Sequence, residues 1–114
     1  MQAKLLDNIP NWYIIRNMHV ITKRPLIEFW TKYPDSETPL KAWFSIMRKE
    51  NFSDFVTPRA TFGSADYVNG LTVFDIGGNK YRLIASIHYD RHKVYIRAVL
   101  THAEYDRNAW NRRK

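Results

Sequence analysis

Leu71-Thr72-Val73-Phe74-Asp75-Ile76, then Gly77-Gly78-Asn79-Lys80, then Tyr81-Arg82-Leu83-Ile84-Ala85-Ser86-Ile87-His88-Tyr89 form two apolar-rich runs around a glycine-rich break. Both runs are short, rich in β-branched and aromatic residues, and too brief for core helices, so each predicts a strand. Gly and Asn adopt positive φ at little cost, which makes 77–79 a tight-turn signal. A third run at 93–100 follows Asp90-Arg91-His92, a weaker turn signal. A shorter strand is predicted near 65–68.

Upstream, the period changes. Leu40, Trp43, Phe44 and Met47 fall at i, i+3, i+4 and i+7, behind Thr38 and Pro39, which suit a helix start. Leu26, Trp30 and Tyr33 make a similar stripe over about 23–33, which Pro34 ends. Residues 18–22 predict a short strand, 51–63 a loop with at most one helical turn, and 101–110 a short closing helix. The expected class is α+β: two helices, then three to four strands joined by hairpin turns, then a short closing helix. Residues 1–17 are interrupted by Asn8, Pro10 and Asn11 and are expected to form an extension. Residues 111–114 form a basic tail, leaving 18–110 as the domain.

Composition narrows the function. The 114 residues are 45% hydrophobic and 15% aromatic, enough for one core and too apolar for a disordered chain. There is no cysteine, so disulfides, thiolate metal sites and a cysteine nucleophile are excluded. No apolar run approaches the roughly 20 residues of a membrane helix, and residues 1–17 lack the organisation of a signal peptide. The expected location is the cytoplasm. The formal net charge is +7, concentrated beyond residue 62, where bases interleave with Tyr81, Tyr89, Tyr95 and Tyr105. That pattern suits a polyanion whose bases can stack, and equally a merely soluble basic protein.

Register turns the strands into a candidate site. A four-residue turn at 77–80 sets Asp75 opposite Arg82. A turn centred on Arg91-His92 sets His88 opposite Tyr95, Ser86 opposite Arg97 and Arg82 opposite Thr101. Side chains alternate, so Tyr81, Leu83, Ala85 and Ile87 face the helices. Arg82, Ser86, His88, Tyr95 and Arg97 then share the other face with Asp75. The plainer reading is a solvated face with a cross-strand ion pair worth about 0.2–1 kcal/mol. The functional one is RNA cleavage, which needs only an acid, a base and cations, because the 2′-hydroxyl supplies the nucleophile. His102, just past the last strand, is the preferred proton carrier. Arg82 and Arg97 suit phosphate oxygens. Tyr105 and Lys80 are secondary catalytic candidates, and Lys93, Tyr95, His88 and Arg107 are candidate RNA contacts. The four histidines lack metal-site spacing, so neither a metal nor another cofactor is expected.

Three stretches carry a resemblance: Ile76-Gly77-Gly78-Asn79-Lys80-Tyr81-Arg82-Leu83-Ile84, Val94-Tyr95-Ile96-Arg97, and Thr101-His102-Ala103-Glu104-Tyr105-Asp106. Together with Met18-His19-Val20-Ile21-Thr22 they resemble the HigB group of host-inhibition toxins, within the RelE-like superfamily. The resemblance implies a RelE-like α+β domain with two N-terminal helices packed on a twisted antiparallel sheet, and an endonuclease acting on mRNA engaged with a ribosome. It also implies a HigA-type helix-turn-helix antitoxin, through which alone the toxin would reach operator DNA. By that resemblance Arg82 corresponds to a phosphate-binding strand arginine, and His102 to an arginine or histidine of the site. The usual pair of lysines before that arginine is reduced to Lys80. A non-enzymatic RNA- or ribosome-binding module and a gyrase-targeting toxin of the same superfamily are the alternatives.

Overall fold

The computed structural model describes residues 18–50, 52, 54–107 and 110. The expected N-terminal extension and basic tail lie outside these residues. The elements run β1 (His19–Val20), α1 (Arg24–Lys32), a 3₁₀ turn (Pro34–Ser36), α2 (Glu37–Lys49), α3 (Val56–Phe62), β2 (Asp66–Val68), β3 (Leu71–Ile76), β4 (Tyr81–His88), β5 (Lys93–Thr101) and α4 (His102–Asp106).

The α+β class and the three long strands agree with the sequence reading, but the architecture differs in two respects. The sheet has five strands, in the order β1-β5-β4-β3-β2, and it is mixed because β1 pairs parallel with β5. A strand of two residues has no alternation to reveal its partner. Backbone bonds fix it instead: Met18 N–H donates to the Glu50 carbonyl at 2.9 Å and Ile21 N–H to Val94 at 2.9 Å. Three helices, not two, precede β2. The segment expected as loop contains α3, whose Pro58 lies in the first turn, where a missing N–H costs no helical bond. Gly63, at φ 75°, ends it in a conformation that favours glycine.

The apolar stripes meet the inner sheet face. Leu26 of α1 and Leu40, Trp43 and Met47 of α2 are buried against Phe74, Ile76, Leu83, Ala85 and Val94. Trp43 and Phe62 both meet Phe74 edge-on, with ring centroids 5.5 and 4.8 Å away. Tyr81, Leu83, Ala85 and Ile87 all belong to this layer, as the alternation requires.

A smaller apolar cluster forms on the outer face. Leu71, Val73 and Ile84 are buried there, with Val68, Ala98, Leu100, Tyr105 and Trp110 packed against them. Trp110 stacks on Tyr105 at 5.0 Å and donates its indole N–H to the Tyr105 carbonyl at 3.1 Å. The C-terminal segment therefore covers one end of a face expected to be open. Among the described residues, no helix is long and apolar enough to cross a membrane.

Candidate nucleic-acid interface

The β3–β4 turn is the four-residue one, Gly77 to Lys80, with both glycines at positive φ (63° and 68°). Asp75 accordingly pairs with Arg82 and Ile76 with Tyr81. The β4–β5 register differs from expectation. The chain turns over residues 89–92, with His92 at φ 57°, so His88 pairs with Lys93 and Ser86 with Tyr95. The slip is by two residues and preserves the faces. Further along, Ala85 pairs with Ile96 but Ile84 with Ala98, a bulge that leaves Arg97 without an opposite residue. Arg82 then pairs with Leu100 and Tyr81 with Thr101.

The two arginines consequently meet different surroundings. Arg82 is only 8% exposed. Its Nε lies 3.1 Å from Asp75, one terminal nitrogen donates to the Asn79 and Tyr81 carbonyls at 3.2 Å each, and the other to the Asn79 side-chain oxygen at 2.6 Å. The Tyr105 ring lies 5.2 Å from the guanidinium carbon. Four of five N–H groups are thus taken within the fold, and no bidentate fork remains for a phosphate. Arg97 is exposed at the bulge. Three strand positions from Leu100, it stands roughly 10 Å along the sheet from Arg82.

The open end of the face gathers His88, Lys93 and Tyr95, whereas Arg107 follows α4 at the covered end. His88 meets Tyr95 edge-on at 5.1 Å, and His88, Lys93 and Tyr95 are all half-buried. Arg107 is exposed beyond α4, and its N–H donates to the Ala103 carbonyl at 3.2 Å.

His102 begins α4. A reciprocal cap holds this helix: Thr101 accepts from Glu104 N–H at 3.2 Å, and the Glu104 carboxylate accepts from Thr101 N–H at 2.9 Å. His102 N–H donates to the Lys80 carbonyl at 3.0 Å, tying the helix to the β3–β4 turn. The imidazole is 47% exposed, with its Nε2 3.2 Å from an Asp106 oxygen.

Lys80 lies beside it with its ammonium on Asp35, which also accepts the Tyr81 hydroxyl at 2.5 Å. The hydrogen bond from Lys80, then that from Tyr81, holds the Asp35 carboxyl below its ordinary range; Asp35 in turn raises Lys80. Lys80 is therefore a persistent cation rather than a base. Burial raises Tyr105, while Arg82 pulls it in the opposite direction.

Asp35, Asn79, Asp106 and Trp110 were not among the candidate site residues. The His102–Asp106 spacing of four was a usable signal; Asp35, 45 residues from Lys80, left none. Among the described residues, no group of three or more His, Asp or Glu side chains is arranged to hold a metal ion.

The family model for the HigB toxin, a RelE-like toxic component of a toxin–antitoxin system, matches residues 36–108. The mRNA interferase toxin HigB of Escherichia coli (strain K12) is 38% identical over 92 residues, covering 78% of this chain and 88% of that protein. The mRNA interferase HigB of Shigella flexneri matches with the same values. The mRNA interferase HigB of Escherichia coli O6:H1 (strain CFT073) is 33% identical over 93 residues, covering 79% and 90%. With the family model spanning β2 to β5, the β3–β4 turn and α4, and with relatives 38% identical over most of the chain, the chain belongs to the HigB toxin family of toxin–antitoxin systems.

Proposed function

We propose that the protein is an mRNA endonuclease that inhibits translation, acting on messages engaged with a ribosome and held in check by a HigA-type helix-turn-helix antitoxin. The juxtaposition of His102 and Lys80 carries the chemical reading. Their backbone bond sets an exposed imidazole at one end of a face whose other end presents Lys93, Tyr95 and Arg97. The names of the relatives, all mRNA interferases, support the same substrate.

In this reading single-stranded message lies across the outer face, with a base against Tyr95 or His88 and phosphates against Lys93, Arg97 and Arg107. The 2′-hydroxyl attacks the adjacent phosphorus, its proton is taken up, and the 5′-oxygen leaves with a proton, giving a 2′,3′-cyclic phosphate and a 5′-hydroxyl. His102 carries one of these protons, and Lys80 and Arg97 stabilise charge developing on the phosphate. Arg82 serves as a positioning residue beneath Tyr105. A cytoplasmic location follows from this role.

Induction should arrest growth and create new 5′ ends within translated codons by primer extension, with ribosome-free message left intact. Arrest with intact messages rejects cleavage and favours a binding module, and a supercoiling defect favours the gyrase alternative. A helix-turn-helix protein that co-purifies and restores growth tests the partner.

A further inference from the structure

The helical layer, on the opposite side of the sheet, holds a separate array of cations. Lys41 Nζ lies 5.4 Å from the Trp30 ring, Lys23 Nζ 5.9 Å from Trp30 and 4.8 Å from Phe44, and the Arg48 guanidinium carbon 5.5 Å from Phe44. Charge and ring alternate across α1 and α2 in the order Lys41, Trp30, Lys23, Phe44, Arg48. Glu37 accepts Lys41 at 2.6 Å, but among the described residues neither Lys23 nor Arg48 has a carboxylate partner. Two grooves flank Phe44. One, of about 400 Å³, runs between β1 and Arg48; the other, of about 360 Å³, is bordered by Lys23, Arg48 and Lys49.

Lys and Arg side chains are flexible, and ordering them normally opposes binding. Here the rings hold the cations in place beforehand, which lowers that cost. The same contacts set cations over both rings, so the rings are poorly placed to stack on unpaired bases. A ligand for this face should present regular negative charge without needing base contacts. A double-helical RNA does so, with its bases turned inward and its phosphates outward.

We propose that the α1–α2 face is a second RNA-binding surface, which takes the phosphate backbone of a duplex RNA segment and leaves the outer sheet face to single-stranded message. This rests on the RNA-directed reading above but not on the cleavage step.

The test is fluorescence anisotropy of the full chain with a labelled RNA duplex of about 16 base pairs, titrated at several salt concentrations. Lys23→Gln combined with Arg48→Gln should weaken binding at least tenfold and lower the salt slope by about two, one per lost phosphate contact. Lys23→Arg with Arg48→Lys keeps both charges and should bind within about threefold of wild type, separating charge loss from misfolding. Lys93→Gln with Arg97→Gln, on the sheet face, should leave duplex binding unchanged while weakening a single-stranded oligonucleotide. Unchanged affinity and slope in the first variant overturn the proposal. So does duplex binding lost through the sheet-face variant, or a helical-face variant that releases an antitoxin but still binds duplex normally.

Discussion

Arg82 and Arg97 lie on neighbouring strands, β4 and β5, yet one is enclosed and the other open. At the enclosed end, Asp75, Asn79 and Tyr105 surround the guanidinium and Trp110 seals the cluster. At the open end, the bulge at Arg97 breaks the ladder and leaves that cation in solvent. A cation with its donors satisfied within the fold stabilises structure; one left in solvent is available to an anion. On one sheet face, position relative to the covering segment separates the two roles.

The strongest test of that contrast is Arg82→Ala, which strips the partner from a partly buried Asp75 and should cost about 3–5 kcal/mol. Thermal unfolding should show a fall in melting temperature of many degrees; cleavage lost at an unchanged melting temperature would make Arg82 a substrate ligand after all. His102→Gln should lower message cleavage by roughly 10²–10⁴-fold while leaving the melting temperature close to wild type, checked by primer extension and thermal unfolding in parallel. Trp110→Ala removes the stack on Tyr105 and one hydrogen bond, for about 1–3 kcal/mol by denaturant titration. Arg97→Gln should leave stability unchanged and reduce the salt slope of single-stranded RNA binding by about one. The smallest effect is expected at Asp35. Its carboxyl titrates below the ordinary value, so its contribution is complete above about pH 4 and fades as pH falls further. Asp35→Asn should therefore flatten the acid limb of melting temperature against pH; a limb as steep as wild type's would show that Asp35 does not couple the 3₁₀ turn to the β3–β4 turn.

Local chemistry was legible in the sequence. Alternation and the glycine pair gave β3, β4 and their register, and the stripe through Leu40, Trp43 and Met47 gave α2. What escaped depends on residues distant in the chain or on irregular backbone. The strand at 18–22 was expected, but so short an alternating run names no partner, and its parallel pairing with β5 was invisible. The four-residue turn before β5 and the bulge at Arg97 moved the pairing by two positions and then by one. Of the candidate site, parity placed Arg82 on the outer face beside Asp75, but what closes over it comes from Tyr105 and Trp110, well beyond β4. The adjacency of Lys80 and His102 was only partly readable, because a backbone bond and not a side-chain pattern makes it.

The Gly77–Lys80 turn has two attachments at a single residue. The carbonyl of Lys80 receives the first amide of α4, and its ammonium grips Asp35 at the junction of α1 and α2. Surface loops usually tolerate insertions well. This one is a joint with a set length: one residue added or removed would pull the C-terminal helix and the helical layer out of alignment together. Engineered length changes should be accepted between β4 and β5 before they are accepted here.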